Sequence, residues 1–191
     1  MARPVIYGFG HIDFRLFGFW YLLHLLQTIS MIPSQLLFDL LEHFEGLRLT
    51  AYKDVAGIWT IGYGTTYYPN QDRVYEGETC TKEEAQACLV NALMHFIDHL
   101  NATKADNLTQ AQFDALCCFI YNVGQGAWDS SSLRISVNSK PLDFDVITAD
   151  FLKWDKAHVN GQLVEVEGLK KRRLCEAYLF QWGVNAPDFI P

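Results

Sequence analysis

The chain predicts an α+β fold, in which a small β-hairpin lobe and a larger all-helical lobe are joined by a long helix, with a cleft between them. Three observations predict it. Residues 45–66, EGLRLTAYKDVAGIWTIGYGTT, pass from the end of an amphipathic helical pattern into a short alternating ribbon. Most of the chain after residue 80 repeats apolar residues at helical spacing. Two capping boxes, Thr81-Lys82-Glu83-Glu84 and Thr109-Gln110-Ala111-Gln112, open two of those runs.

Each element has its own signal. Ser34 after Pro33 is an N-cap, and Leu36, Leu37, Leu40, Leu41 and Phe44 form one apolar stripe of a helix that delivers Glu45 and stops at Gly46. Val55-Ala56-Gly57 is a three-residue hairpin loop with glycine where φ must be positive. That loop sets Asp54 opposite Ile58 and Tyr52 opposite Thr60. Asp54 and Thr60 then share one face as diagonal neighbours, while Trp59, Ile61 and Tyr63 fall on the other, apolar face. A turn-rich link at 68–72 leads to Arg73-Val74-Tyr75, expected to complete a small sheet. The box at Thr81 opens the long helix, to about Leu100. The box at Thr109 opens a helix carrying Phe113, Leu116, Cys117, Ile120 and Tyr121 that ends at Asn122-Val123-Gly124. Ser132–Val137 and Asp145–Lys156 read as short helices, 158–167 as a polar loop turning at Asn160-Gly161, and Gly168–Gln181 as the last helix.

At 191 residues the length suits one domain, and 50% apolar with 19% charged residues is a globular composition. The net charge is −7. Arg3, Arg15 and Asp13 make the first 30 residues weakly basic, so the remainder is more acidic still. That argues against nucleic acid as a partner, which would need clustered Lys and Arg to neutralise phosphates. The one basic cluster is Lys170-Lys171-Arg172-Arg173. Five cysteines at 80, 88, 117, 118 and 175 show no metal-ligand spacing. Cys117 and Cys118 read as small buried hydrophobes, and a Cys80–Cys88 bridge is left open. His95 and His99 are one turn apart without a third ligand nearby, so no metal and no cofactor is expected.

One carboxylate on a helix end, with a second carboxylate and a hydroxyl on a hairpin, is a plausible active site, in which one group gives a proton and the other stays charged. Glu45 at a helix end suits the donor, because poor solvation beside apolar residues favours keeping a proton. Asp54 on a more open hairpin suits the charged partner, with Thr60 beside it. The pattern E-G-L-R-L-x-x-Y-x-D-x-x-G-x-x-T-I-G-Y-G, with Glu45, Asp54 and Thr60 nine and six residues apart, resembles the signature of the phage-type lysozymes. These are the T-even and lambdoid endolysins, glycoside hydrolase family 24. LTQAQFDALCCFIYNVGQGAW and GLKKRRLCEAYLF are similar to the cleft helix and closing helix of the lambdoid members, so the likeness covers about residues 31–182. Thr65 departs from it, standing where a histidine is common after G-Y-G.

The resemblance implies a lysozyme-like fold and a muramidase. Such an enzyme cuts the β-1,4 bond between N-acetylmuramic acid and N-acetylglucosamine in peptidoglycan and lyses a bacterial host. It implies an inverting course, with Asp54 and Thr60 holding the attacking water. It also implies substrate contacts at Tyr121, Asn122 and Gln125, with Arg172 and Arg173 placed to meet wall-peptide carboxylates. A non-catalytic peptidoglycan-binding module and a lytic transglycosylase are the competing readings. The partner expected is a glycan strand, and the protein is expected to be a monomer.

Residues 1–30 fall outside the likeness. Leu16–Ile32 is an apolar run interrupted only by His24 and Gln27 among strongly polar residues, at the lower length limit for a membrane span, with Arg3 and Arg15 before it. It resembles the signal-arrest-release anchors of some endolysins, which would hold the enzyme on the inner membrane facing the periplasm before release. Two other readings stay open. The run is upstream of a true start at Met31, leaving a host-cytoplasmic enzyme that needs passage to the periplasm, or it is an extra packed element. The division expected is an extension, 1–30, and a lysozyme domain, 31–191.

Overall fold

The computed structural model describes residues 30–54, 57–104, 107–159 and 161–187. The proposed anchor therefore lies outside the described residues, apart from its last three positions. The architecture below belongs to the unit from Met31 to Pro191. Its order is α1 (Gln35–Glu45), β1 (Arg48–Lys53), β2 (Trp59–Gly62), α2 (Lys82–Thr103), α3 (Gln110–Val123), α4 (Gln125–Ser130), α5 (Ser132–Asn138), α6 (Phe144–Leu152), β3 (Lys156–Val159), β4 (Gln162–Glu165) and α7 (Glu167–Trp182).

α1 starts where Ser34 accepts a hydrogen bond from the Leu36 N–H, and it buries Leu37, Leu40 and Leu41. Its N-terminus is pinned from outside the helix. Asp114 of α3 accepts from the Ser34 N–H (3.1 Å) and from the Ser34 hydroxyl, while Asn101 of α2 exchanges two hydrogen bonds with the Met31 backbone, both 2.9 Å. Its far end is tied at Glu42, which accepts from Lys82 Nζ (2.7 Å) and from the Tyr63 hydroxyl (3.4 Å).

The hairpin has the expected register, with Tyr52 opposite Thr60 and Lys53 opposite Trp59. Gly57 stands at φ 79°. Towards its base, Arg48 pairs with Gly62, so four steps along β1 match two along β2. The surplus residues turn to a third segment: Cys80 N–H donates to Leu49 O (3.0 Å), Ala51 N–H to Glu78 O (2.9 Å), and Thr50 bridges Thr79. A bulge of this kind bends a strand and redirects its side chains. Arg73 bridges Tyr67, and Val74 N–H donates to Thr66 O (3.1 Å), which completes the lobe as a second small loop-back. Gly62, at φ 64°, lies so close to α2 that a Cβ there would meet the Ala85 Cβ at 3.0 Å.

Both capping boxes form as expected. α2 spans about 33 Å, given the helical rise, and buries Ala85, Leu89, Leu93, Ile97 and Leu100 along one stripe. It runs from the hairpin to the helical lobe, where the buried Trp128 donates to Thr103 Oγ1 at 3.1 Å. α3 is the centre of that lobe. Every residue from Ala111 to Ile120 is buried, so this helix is enclosed on all sides. Phe119 meets Phe151 and Trp154 edge-on, with ring centres 5.5 and 5.8 Å apart. Full burial of each large apolar side chain here stabilises by roughly 1.5–3 kcal/mol.

The structure corrects three expectations. α4 intervenes where no helix was read, because Gln125–Ser130 is too short for a visible period. The helix expected at Asp145–Lys156 ends at Leu152. The stretch read as a polar loop is an antiparallel ribbon in which Lys156 pairs with Glu165 and His158 with Leu163, turning at Gly161 (φ 81°). Alternation was hidden there because β4 is exposed along its whole length. All five cysteines are free thiols, so the open question of a Cys80–Cys88 bridge resolves to none.

Asp150 holds α5 to α6. It is buried and accepts from Ser132 Oγ (2.7 Å), Ser136 Oγ and Lys153 Nζ (2.6 Å). Burial alone would raise its pKa, but the bonds donated by Lys153, Ser136 and Ser132 reverse this and hold it below the usual carboxylate range. The unfolded chain therefore takes up this proton first on acidification. The stabilisation is complete above the ordinary carboxylate pKa and is lost as pH falls through the lower folded value. Between roughly pH 5 and pH 2, wild-type stability should decline more steeply than that of Asp150→Asn, read from urea midpoints at each pH. Parallel curves would contradict the lowered pKa.

Candidate active site

α1 ends at Glu45 because Gly46 takes φ 69°. Sequence reasoning expects apolar company for this carboxyl; the structure supplies a cation. Glu45 Oε1 accepts from Arg172 Nη1 at 2.6 Å, and the glutamate side chain keeps 26% of its exposure. Arg172 stands on α7, with Nε 3.3 Å from Glu176 Oε1 and its guanidinium 5.4 Å above the Phe44 ring. Glu176 is fully buried and also accepts from Arg173 Nη2 at 2.9 Å. Arg173, equally buried, lies 5.1 Å over Phe119 and donates to Asn122 Oδ1 at 3.0 Å. A continuous polar chain thus links the end of α1 to the end of α3 through the interior.

This placement corrects the reading of Arg172 and Arg173. Meeting wall-peptide carboxylates, or forming a solvated basic face, requires exposed guanidiniums. Arg172 is 5% exposed and Arg173 0%. Lys170, paired with Glu165 at 2.9 Å, takes an outward position in the same cluster. Glu176 went unread, although its spacing was a usable signal: it lies one turn after both arginines, at i+4 and i+3.

On the hairpin, the backbone of Ile58 organises two side chains. Its N–H donates to Asp54 Oδ1 (2.9 Å), while its carbonyl accepts from the Asp54 N–H (2.9 Å) and from Thr60 Oγ1 (3.0 Å). Thr60 is 3% exposed. Because its hydroxyl proton is directed at Ile58, its oxygen lone pairs are left to accept. Asp54 and Thr60 are therefore held together by one residue, as their diagonal relation predicts.

Tyr121 closes the end of α3. Its hydroxyl reaches the Tyr63 carbonyl (3.3 Å), and its ring packs edge-on against Phe96. Burial, and then the charge of Glu45, push its pKa up to about 12, so it stays a neutral donor. Asn122 is exposed, and Arg173 on its carbonyl oxygen orients its amide N–H groups the other way. Gln125 Nε2 donates to His95 O (3.1 Å), which braces α4 against α2. Burial raises the pKa of the Cys117, Cys118 and Cys175 thiols and keeps them protonated, so none is a ready nucleophile. His99 meets Asp129 at 2.9 Å, and among the described residues no three His, Cys, Asp or Glu side chains gather as metal ligands.

Comparison with known proteins shows what the chain is similar to. The family model described as phage lysozyme matches residues 42–176. An endolysin of Acyrthosiphon pisum secondary endosymbiont phage 1 is 39% identical over 142 residues, which cover 74% of this chain and 92% of that protein. The solved structure of an endolysin from Escherichia coli O157:H7 phage FAHEc1 superposes with a TM-score of 0.76 at 34% identity, over 82% of this chain and 98% of that one. A SAR-endolysin of Bacteriophage PS119 is 30% identical over 74% of this chain and 79% of its own length.

The buried ions generate a stability prediction. Glu176→Ala leaves two guanidiniums without their shared partner and should cost about 3–5 kcal/mol. Chemical denaturation measures it, and a loss within about 1 kcal/mol, the scale of a surface pair, would mean that water reaches these groups.

Proposed function

The chain belongs to the phage lysozyme family and is a peptidoglycan-lysing glycoside hydrolase; from that premise we propose that Glu45, Asp54 and Thr60 carry its chemistry. The bond cut is the β-1,4 link between N-acetylmuramic acid and N-acetylglucosamine. Glu45 gives its proton to the leaving glycosidic oxygen as the C1–O bond breaks. On the opposite face of the sugar, a water loses its proton to Asp54 and adds its oxygen to C1. Thr60 accepts the second O–H of that water and keeps a lone pair directed at C1. The product carries the inverted anomeric configuration, and the carboxyl separation that goes with inversion is roughly 6.5–9.5 Å.

The assignment rests on Ile58, whose backbone holds Asp54 and Thr60 together with no role of its own in the core. Arg172 is a positioning residue: it binds one oxygen of Glu45 and leaves the other for the sugar. Tyr121 offers a flat ring face and Asn122 an oriented amide to the substrate. This reading favours hydrolysis over a lytic transglycosylase, which needs an acid but has no use for a paired Asp and Thr holding water. It also favours turnover over a binding module that would have no need of an aligned acid.

The apolar run before Met31 is read as an inner-membrane anchor, with the N-terminus in the host cytoplasm and residues 31–191 in the periplasm. The relative named SAR-endolysin supports it. The catalytic unit is read as a monomer. Fractionation before and after membrane depolarisation should move the protein from the membrane to the soluble fraction. A protein soluble throughout would remove the anchor and require a separate route across the membrane.

For the chemistry, Glu45→Gln and Asp54→Asn should each lower the rate on purified peptidoglycan by about 10²–10⁴-fold, while each variant still folds cooperatively. Reducing-end release measures the rate, and NMR of the first-formed anomer reads the stereochemistry. Undiminished lysis by Glu45→Gln would remove it as the acid, and anhydromuramic ends would replace hydrolysis by transglycosylation.

A further inference from the structure

We propose that the corner where the chain enters the catalytic unit is a membrane-contact face. Ile32, Trp182 and Val184 seat the unit against the boundary between headgroups and acyl chains of the bilayer. The inference rests on the reading of the apolar run as an anchor. It goes beyond that reading, because this contact is made by the catalytic unit itself.

Three chain segments meet at this corner. Gln110, at the start of α3, donates to the Ile32 carbonyl at 2.8 Å. One residue on, the Ala111 Cβ lies 4.0 Å from where a Cβ on Gly183 would stand. Asn185 donates to the Leu36 carbonyl at 3.3 Å. The starts of α1 and α3 and the end of α7 are therefore neighbours, and they leave large apolar side chains in water. Ile32 is 72% exposed, Trp182 62% and Val184 53%. Tyr178 flanks Trp182, with ring centres 6.3 Å apart. Clustered apolar exposure on a unit with a core of its own marks a surface that something else covers. Tryptophan and tyrosine are the side chains that concentrate at membrane–water boundaries.

The course of the chain says what covers it. The run Leu16–Ile32 ends on this corner, and α1 begins at Gln35, about 11 Å of extended chain later at most. Those few residues hold no slack. Asn101 binds both backbone polar groups of Met31 at 2.9 Å, Gln110 holds Ile32, and Asp114 holds Ser34. A span that ends at Ile32 thus brings the corner to the lipid surface, with no linker to let the unit drift away. The chemistry suits that surface. The side chains that tie the corner together are the neutral amides of Asn101, Gln110 and Asn185, and the carboxylate of Asp114, which is buried. Asp39, the first exposed carboxylate along α1, lies one turn past Gln35, which donates to it at 2.8 Å. Lipid contact here covers apolar tips without stripping water from an exposed charge.

The test uses the full chain in phosphatidylcholine vesicles, with and without bromine on the acyl carbons nearest the headgroup. Bromine quenches the emission of an indole that reaches it within the lipid. Trp20 lies in the apolar run and reports whether the anchor is inserted. The parent should be quenched, and Trp182→Phe should lower the quenched emission about twofold, because it removes one of two lipid-facing indoles. Val184→Asp should give the same loss with all five tryptophans present, since it puts a charge into the contact. At their exposure, neither substitution should shift the thermal midpoint. Quenching that Trp182→Phe leaves unchanged overturns the face, whether a second copy of the chain or its own tail covers it. The anchor reading fails by a different result: quenching that Trp20→Phe leaves unchanged.

Discussion

The structure depends on one buried guanidinium. Arg172 reaches from α7 to the end of α1 and holds Glu45 at 2.6 Å while sharing Glu176 with Arg173. Such a network is an expensive way to fill a core. A cluster of well-packed apolar side chains would stabilise as much or more, since each ion gives up its hydration on entering the interior. What apolar packing cannot do is hold a carboxyl at a defined height and angle. The two arginines and Glu176 set the end of α1 against α3 and α7, and so determine where the Glu45 carboxyl stands.

The hairpin solves the complementary problem with backbone alone. A positive-φ glycine at 57 closes the turn so that Ile58 presents its N–H to the Asp54 carboxylate and its carbonyl to the Thr60 hydroxyl. The bulge at the base of β1 gives the ribbon a bend that straight pairing would not. Tyr121 and Tyr63 connect the two halves, since one hydrogen bond joins the end of α3 to the segment just beyond β2. A rigid helical lobe and a turn-locked hairpin thus meet at side chains whose freedom has already been spent in folding, which is the condition for preorganised catalysis.

Much of this was legible along the chain, and the failures share a cause. Capping boxes, the Gly57 turn and the Tyr52–Thr60 register are local, set by residues within a few positions, and they appear as read. The ribbon at 156–165 was missed because β4 is exposed along its whole length, which removes the hydrophobic alternation that announces a strand. Arg172 and Arg173 were read as surface charge because burial of a cation depends on a partner, and the partners Glu45, Cys118 and Asn122 all lie more than 50 residues away. Glu176 was within reach of local reasoning, one helical turn on, and would have pointed inward had the i,i+3 and i,i+4 pairs been weighed together.

Sequence by itself determined most of the helices, their order and the hairpin geometry, and it singled out Glu45, Asp54 and Thr60 as candidates, because turn conformation, capping and strand alternation act over a handful of bonds. Tertiary structure alone decided which charges are interior, which aromatic faces stay in water, and that Glu45 leans on Arg172 rather than on apolar neighbours. Those outcomes follow from desolvation, which is a property of everything packed around a group, and no stretch of chain carries its own surroundings.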